Sequence, residues 1–467
     1  MTDPALSLAR RRLLQGSAAL AASPLAAAFA LAATPKATGH RSLSASGYGP
    51  LLPVRDETTG LPLLMLPEGF TYRSFAWAGE KLAGTGEPMP GAADGMGIVK
   101  VEGEVFTLVR NHEIFGQDGS FGPAASHYDA PCGGGTVTLR YDRRAGRLLE
   151  ARGSLSGTLV NCAGGTTPWN SWLSCEETVS PVGHSGFRRG RTFRLDRAHG
   201  FVFEVPAEGV SDARPLKDMG QFVHEAAVVD ASNGMVYLTE DNRPAGFYRF
   251  TPRQRGKLGA GGRLQALRVK THPDLRTGLK AGQRLDVDWV DIERPEQGWE
   301  AAADGSNAGS TLGVLRQGRA QGASLFTRLE GVFVGPDEVF FTSTDGGDAK
   351  AGQVFRFVPS QQRLELFYES PGARVLDYPD NICLSPTGSI VICEDSGAPV
   401  QRLYGLTRQG ELFELARNNT ELAGEMGFIG SFKGAEWAGA CFSPDGKTLF
   451  ANVYRPGYTV AITGPFV

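Results

Sequence analysis

The chain has 467 residues, of which 41% are hydrophobic and 21% charged, enough apolar material for a large folded core and too much for disorder. Lys and Arg total 47 against 50 Asp and Glu, and the net charge of −3 excludes a general basic field for nucleic acid or an anionic membrane. Gly (62) and Pro (28) fall between short apolar runs, which marks many tight turns, argues against a helical bundle and makes all-β the expected class.

At the N-terminus, Arg10-Arg11-Arg12-Leu13-Leu14-Gln15 precedes an Ala- and Leu-rich run from Ser17 to Ala33. The run is shorter than the roughly 20 residues of a spanning helix and ends in small residues, so residues 1–33 are expected to be an export signal. The paired arginines resemble a twin-arginine signal. That implies the twin-arginine translocase as a transient partner and a periplasmic or secreted destination. The route carries proteins already folded, which raises the expectation of a bound metal or redox group.

The rest of the chain, 34–467, carries one unit six times: a polar or acidic residue, a strand-turn-strand, and a second polar cluster roughly 14 to 17 residues later. The copies run from Asp94 to Asn111-His112-Glu113, from Asn161-Cys162 to Cys175-Glu176-Glu177, and from His224-Glu225 to Glu240-Asp241-Asn242. They continue from Glu330 to Thr344-Asp345, from Asp380-Asn381 to Glu394-Asp395, and from Glu436 to Asn452. Apolar segments at Phe193–Asp196, Gly246–Phe250, Gln353–Phe357 and Leu403–Leu406 read as third strands. Hairpins with outer strands, repeated six times, predict a six-bladed β-propeller. The longer gap at about 255–325 is read as an insertion on one face.

In an antiparallel hairpin the first residue of one strand and the last of the next lie at the same end. The clusters should therefore meet on one rim, bringing together Cys162, Glu177, Glu225, Glu330, Glu394 and Glu436 with Asp94, Asn111, Glu113, Asp345, Asp380 and Asn381. Crowded carboxylates repel strongly where the dielectric is low, and multivalent cations are the expected countercharge. For any single cluster the plainer account is a turn acid bonded to nearby backbone N–H groups. For Cys162 it is a buried thiol or a disulfide with Cys175, and for His112 and His224 an ordinary hydrogen-bonding role. No phosphate-cradling glycine loop, nucleophile elbow or His-Glu-x-x-His is present in the sequence.

Asn161-Cys162-Ala163-Gly164-Gly165, Thr167-Pro168-Trp169 and Cys175-Glu176-Glu177, flanked by Asn111-His112-Glu113 and His224-Glu225-Ala226-Ala227, resemble the PhoX family of alkaline phosphatases over roughly 90–455. The resemblance implies a propeller whose centre holds Fe³⁺ and Ca²⁺ and hydrolyses small phosphate monoesters in the bacterial cell envelope. It implies Cys162 as an iron thiolate with Glu177 and Glu225 as carboxylate ligands. Hard oxygen ligands such as Asn111, Glu113, Glu330, Asp380, Asn381 and Glu394 would suit calcium. Asn170 stands where the family usually has glycine. A monomer acting on small phosphate esters, without nucleic acid, is expected. The competing readings are a calcium-only propeller esterase or lactonase, and a non-catalytic envelope scaffold.

Overall fold

Val105–His112 turns back on Ala93–Glu102 through Gly103, whose φ of 63° suits the tight hairpin reversal, and Gly134–Asp142 and Arg147–Thr158 complete a four-stranded antiparallel sheet. This sheet and its successors are described by a computed structural model covering residues 47–116, 118–188, 191–302 and 309–466. The expected export signal at 1–33 lies outside the described residues.

Six sheets of this kind follow one another along the chain. The second contains Asn161–Thr166, Ser171–Glu176 and Val202–Pro206; the third begins with His224–Val229, Val236–Glu240 and Phe247–Pro252. Leu329–Gly335, Glu338–Ser343, Gln353–Val358 and Arg363–Glu369 build the fourth. Pro379–Leu384, Ile390–Glu394, Arg402–Leu406 and Leu412–Asn418 build the fifth, which gains Leu64–Leu66 and Leu52–Val54 at its edge. The sixth is Trp437–Phe442, Thr448–Val453 and Tyr458–Thr463, completed by the N-terminal strand Thr71–Phe75, which pairs with Tyr458–Thr463. The innermost strands pack on one another in order, and that of the sixth packs on that of the first. The fold is a closed six-bladed β-propeller.

The strands are apolar on both faces because each sheet is buried between two others. Ile98, Leu108, Phe450 and Ala461 fill the seam between blades six and one; Val109, Leu155, Trp172 and Phe203 fill the next. Tyr237, Phe247, Phe341 and Phe355 do the same between blades three and four. Burying each such side chain contributes about 1.5–3 kcal/mol, so the seams supply the main cohesion of the ring. At two positions of the innermost strands there is no room for a side chain between blades. A Cβ on Gly95 would lie 2.5 Å from Cα of Ala163, and one on Gly331 2.8 Å from Cα of Asn381.

Two sequence expectations change. Part of the stretch 255–325 is blade: Gly262–Arg268 and Asp288–Asp291 are the fourth and fifth strands of blade three, and Arg284–Asp286 edges blade four. The excursion is confined to the remainder, which includes the helix Gly313–Ala320. Phe193 does not belong to the third strand of blade two. Arg191–Arg194 pairs with Ser185–Arg188 in a separate ribbon, and Val202–Pro206 takes the blade position.

Candidate metal centre

One backbone hydrogen bond recurs in every blade. The residue just past the second strand donates its N–H to the carbonyl of the residue just ahead of or opening the first. The pairs are Glu113 to Ala92 at 3.0 Å, Glu177 to Val160 at 2.8 Å, Asp241 to Val223 at 3.0 Å, Thr344 to Arg328 at 2.8 Å, Asp395 to Tyr378 at 3.0 Å and Tyr454 to Glu436 at 3.1 Å. Ala92, Val160, Arg328 and Tyr378 take the left-handed conformation, with φ of 40° to 53°.

Two residues beyond each acceptor stand Asp94, Cys162, Glu225, Glu330 and Asp380, with Ala438 in blade six. The strand register shifts there in all six blades: between Ala93 and Met96, Asn161 and Gly164, His224 and Ala227, Leu329 and Val332, Pro379 and Ile382, and Ala438 and Cys441. A bulge bends its strand and re-aims a side chain. Repeated around the axis, it gathers the five acidic or thiol residues at one mouth of the ring.

The gathering is close. Sγ of Cys162 and one carboxylate oxygen from each of Glu177 and Glu225 lie within 4.8 Å of one another; so do oxygens of Glu225, Glu330 and Asp380, and of Asp94, Glu113 and Glu436. Glu225 belongs to two of these groups. Burial raises the pKa of Asp94, Glu177, Glu225, Glu330, Asp380 and Glu436 well above the ordinary range, and neighbouring carboxyls add to it. Burial, then Glu225 and Glu177, likewise holds the Cys162 thiol protonated. Arg328 faces the acids, bidentate to Asp241 at 2.8 Å through Nε and a terminal nitrogen and 2.8 Å from Glu330.

The donors suit cations. One thiolate with two carboxylates fits a transition metal, and the all-oxygen groups fit a hard cation such as calcium. Oδ1 of Asp380 is buried without a hydrogen-bond partner, as an oxygen awaiting a cation would be.

Cys162, Glu177, Glu225, Glu113, Glu330 and Asp380 thus all stand in these groups. Asn111, Asn381 and Glu394 are placed differently. The amide of Asn111 donates to the carbonyls of Cys162 and Ala163 at 3.0 and 2.7 Å, and its Oδ1 accepts from Trp172 and Ser174. Oδ1 of Asn381 accepts from Gly439 N–H at 3.1 Å. Glu394 is fully buried against Arg402, at 2.8 and 2.5 Å. Its neighbour Asp395 occupies the position matching Glu177, because successive strand residues face opposite ways. Asp345 likewise lies one residue beyond the repeated position, bonded to Thr327 at 2.7 Å.

Sequence reading passed over Asp241, Arg328, Asp395 and Tyr454. The dipeptides His112-Glu113, Glu176-Glu177, Glu240-Asp241 and Glu394-Asp395 held the signal: in each, the second residue takes the repeated inward position. The cysteines among the described residues are free thiols, Cys162 and Cys175 included. His112 and His224 each bond a backbone carbonyl, of Gly91 and Gly220, both at 2.9 Å.

Fold and donors together define a β-propeller with groups of candidate metal ligands gathered at one mouth of its channel. The chain belongs to the PhoX family: the family described as alkaline phosphatase PhoX matches residues 46–457. It is accordingly a metal-dependent phosphoric monoester hydrolase. Members are generally exported, and among the described residues no helix is long and apolar enough to cross a membrane. No curated protein matches the sequence. Similar solved structures include a gluconolactonase from Xanthomonas campestris, with 12% identity over 84% of this chain and 100% of that one and a TM-score of 0.32. Another is the β-propeller domain of Cps50 (Swd1) from Myceliophteria thermophila, with 10% identity over 80% and 98% and a TM-score of 0.37.

Proposed function

We propose that the protein is an exported phosphatase of small phosphate monoesters, with Fe³⁺ held by Cys162, Glu177 and Glu225 and Ca²⁺ held by the oxygen groups. The observation that carries this reading is the thiol lying within 4.8 Å of two carboxylates and sharing one of them, Glu225, with an all-oxygen group. When bound, these cations cancel charge on the phosphoryl oxygens and lower the pKa of an attacking water. The chain's own residues hold the donors in place. The bulges aim Asp94, Glu225, Glu330 and Asp380 at the channel, while the hydroxyl of Tyr454 donates to Glu113. Arg328, its fork held by Asp241 and Glu330, places a fixed positive charge beside the acids. No side-chain nucleophile is required. Glu394 is left out of the metal set because Arg402 takes both its oxygens, and Asn111 because its Oδ1 already accepts two hydrogen bonds; Asn381 stays among the oxygen donors for Ca²⁺.

The near-neutral chain favours small esters over polyanions. Export through the twin-arginine route, to the periplasm or beyond, rests on residues 10–33. The test is metal analysis and turnover of a simple aryl phosphate for the purified exported protein and for Cys162→Ala. The expected result is iron together with calcium in the native protein, and loss of iron and activity together in the variant. Full turnover by the variant would overturn the thiolate role. Faster cleavage of diesters than of monoesters across several leaving groups would overturn the substrate assignment.

A further inference from the structure

A second cluster of donors lies outside the channel, behind the acid ring. Asp129 and Cys132 sit in the loop between the second and third strands of blade one, and His199 sits in the connection leading to Val202–Pro206 of blade two. All three are buried, at 2%, 0% and 0% exposure. One donor atom from each, a carboxylate oxygen, the thiol sulfur and an imidazole nitrogen, lie within 4.8 Å of one another, and Nε2 of His199 faces both Oδ2 of Asp129 and Sγ of Cys132. The far side of the imidazole is fixed: Nδ1 is 2.6 Å from Oε1 of Glu176. Glu176 is in turn held by backbone N–H groups of Leu159, Gly200 and Phe201.

The two sides of the imidazole differ. The Nδ1 contact has the length of a strong charge-assisted hydrogen bond. The Nε2 contacts do not: 3.3 Å to Oδ2 of Asp129 and 3.9 Å to Sγ of Cys132. Bonds of about 2.0–2.1 Å to nitrogen and oxygen and about 2.3 Å to sulfur, at a tetrahedral angle, separate the ligand atoms by about 3.3 Å (N to O) and about 3.6 Å (N to S). The observed spacings are close to those of atoms sharing one ion. A carboxylate on the remote nitrogen of a ligating histidine is the usual support of such a ligand. Oδ2 of Asp129 is similarly oriented by the N–H groups of Asp196 and Arg197, at 3.0 and 3.1 Å.

We propose that Asp129, Cys132 and His199 bind a divalent transition metal of the zinc class, with Glu176 as the orienting carboxylate and a water in the fourth position. The ion pins the segment of blade one that carries Asp129 and Cys132 to blade two. Because Glu176 adjoins Glu177, it also fixes the backbone that presents Glu177 to the channel. The role is structural, and the site is separate from the catalytic centre.

The test is zinc analysis and zinc-edge X-ray absorption on the full-length protein purified with its channel metals, beside Cys132→Ser and Cys162→Ser. The expected result is about one zinc per chain, with one sulfur at about 2.3 Å and nitrogen or oxygen at about 2.0 Å. Cys162→Ser should retain that zinc and Cys132→Ser should lose it. Absence of zinc from the native protein grown with ample zinc overturns the proposal, as does a shell without sulfur. Zinc that leaves with Cys162 and stays in Cys132→Ser belongs to the channel and overturns it equally. The absorption measurement needs no variant, so the proposal stays testable if Cys132→Ser does not fold.

Discussion

The indole N–H of Trp172 in blade two donates to Oδ1 of Asn111 in blade one at 3.0 Å, while the Asn111 amide donates back to two carbonyls of blade two. Asn111 is a tie between blades, with its donors and acceptor all used. Asn111→Asp puts a carboxylate against the carbonyls of Cys162 and Ala163. It should destabilise the protein by about 3 kcal/mol or more, since buried groups lose their partners. Denaturant titration checks this; unchanged stability together with lower calcium content would mark Asn111 as a ligand instead.

Glu394 offers the complementary case. Its pairing with Arg402 predicts that Glu394→Gln costs about 1–3 kcal/mol, because the half-buried guanidinium keeps only its longer contact to Glu414, at 3.8 Å. Calcium and iron content should stay at native levels. Asp395→Asn, one residue on, should instead weaken metal retention at little cost to folding. Metal analysis after dialysis separates the two.

The acid ring makes the metal-free protein sensitive to pH. Asp94, Glu177, Glu225, Glu330, Asp380 and Glu436 have raised pKa values when folded, first through burial. In the unfolded chain they ionise at ordinary carboxylate values. Stability is therefore full below that range and is lost as pH rises through the folded values. Chelated protein should melt at a higher temperature near pH 5 than near pH 8. Added Ca²⁺ should raise the melting temperature more at about pH 8 than at about pH 5, because cations replace protons as countercharge.

Glu240 gives a second pH effect that metals do not remove. Burial lifts it to about 8 from 4.5, although Tyr248 hydroxyl and Gly246 N–H both donate to it. Between those values the unfolded chain carries the charge and the folded one does not, so stability falls as pH rises and levels off above about 8. Glu240→Gln should flatten this part of the melting-temperature profile in the metal-loaded protein. A profile unchanged by the substitution would show that Glu240 does not titrate in this window.

The six-fold plan was legible because each blade repeats short apolar runs, turn residues and terminal polar or acidic clusters. That Cys162, Glu177 and Glu225 would meet could be read off for that reason. The placements that differ from expectation have physical causes. Glu394 turns to Arg402 while Asp395 takes the repeated position, because in a strand one residue reverses the face. Asn111 carries ligand-like chemistry, but only packing reveals that the neighbouring blade uses it. The bulges that aim the donors leave no mark in composition. Asp129, Cys132 and His199 come from two different blades, so no local spacing links them.

The hydroxyls of Thr71 and Thr463 meet at 3.0 Å across 392 residues of sequence, where the first strand of the ring completes the last blade. Such a contact cannot form until Thr463 has left the ribosome, and pairings this distant in sequence are slow to find. Asp94 and Glu113 come from blade one and Glu436 from blade six, so this oxygen group is assembled only by that late closure. Chains lacking blade six would carry Asp94 and Glu113 without this group, although the groups of blades two to five need no such closure. A filled Asp94, Glu113 and Glu436 group would therefore report that blades one and six have already met.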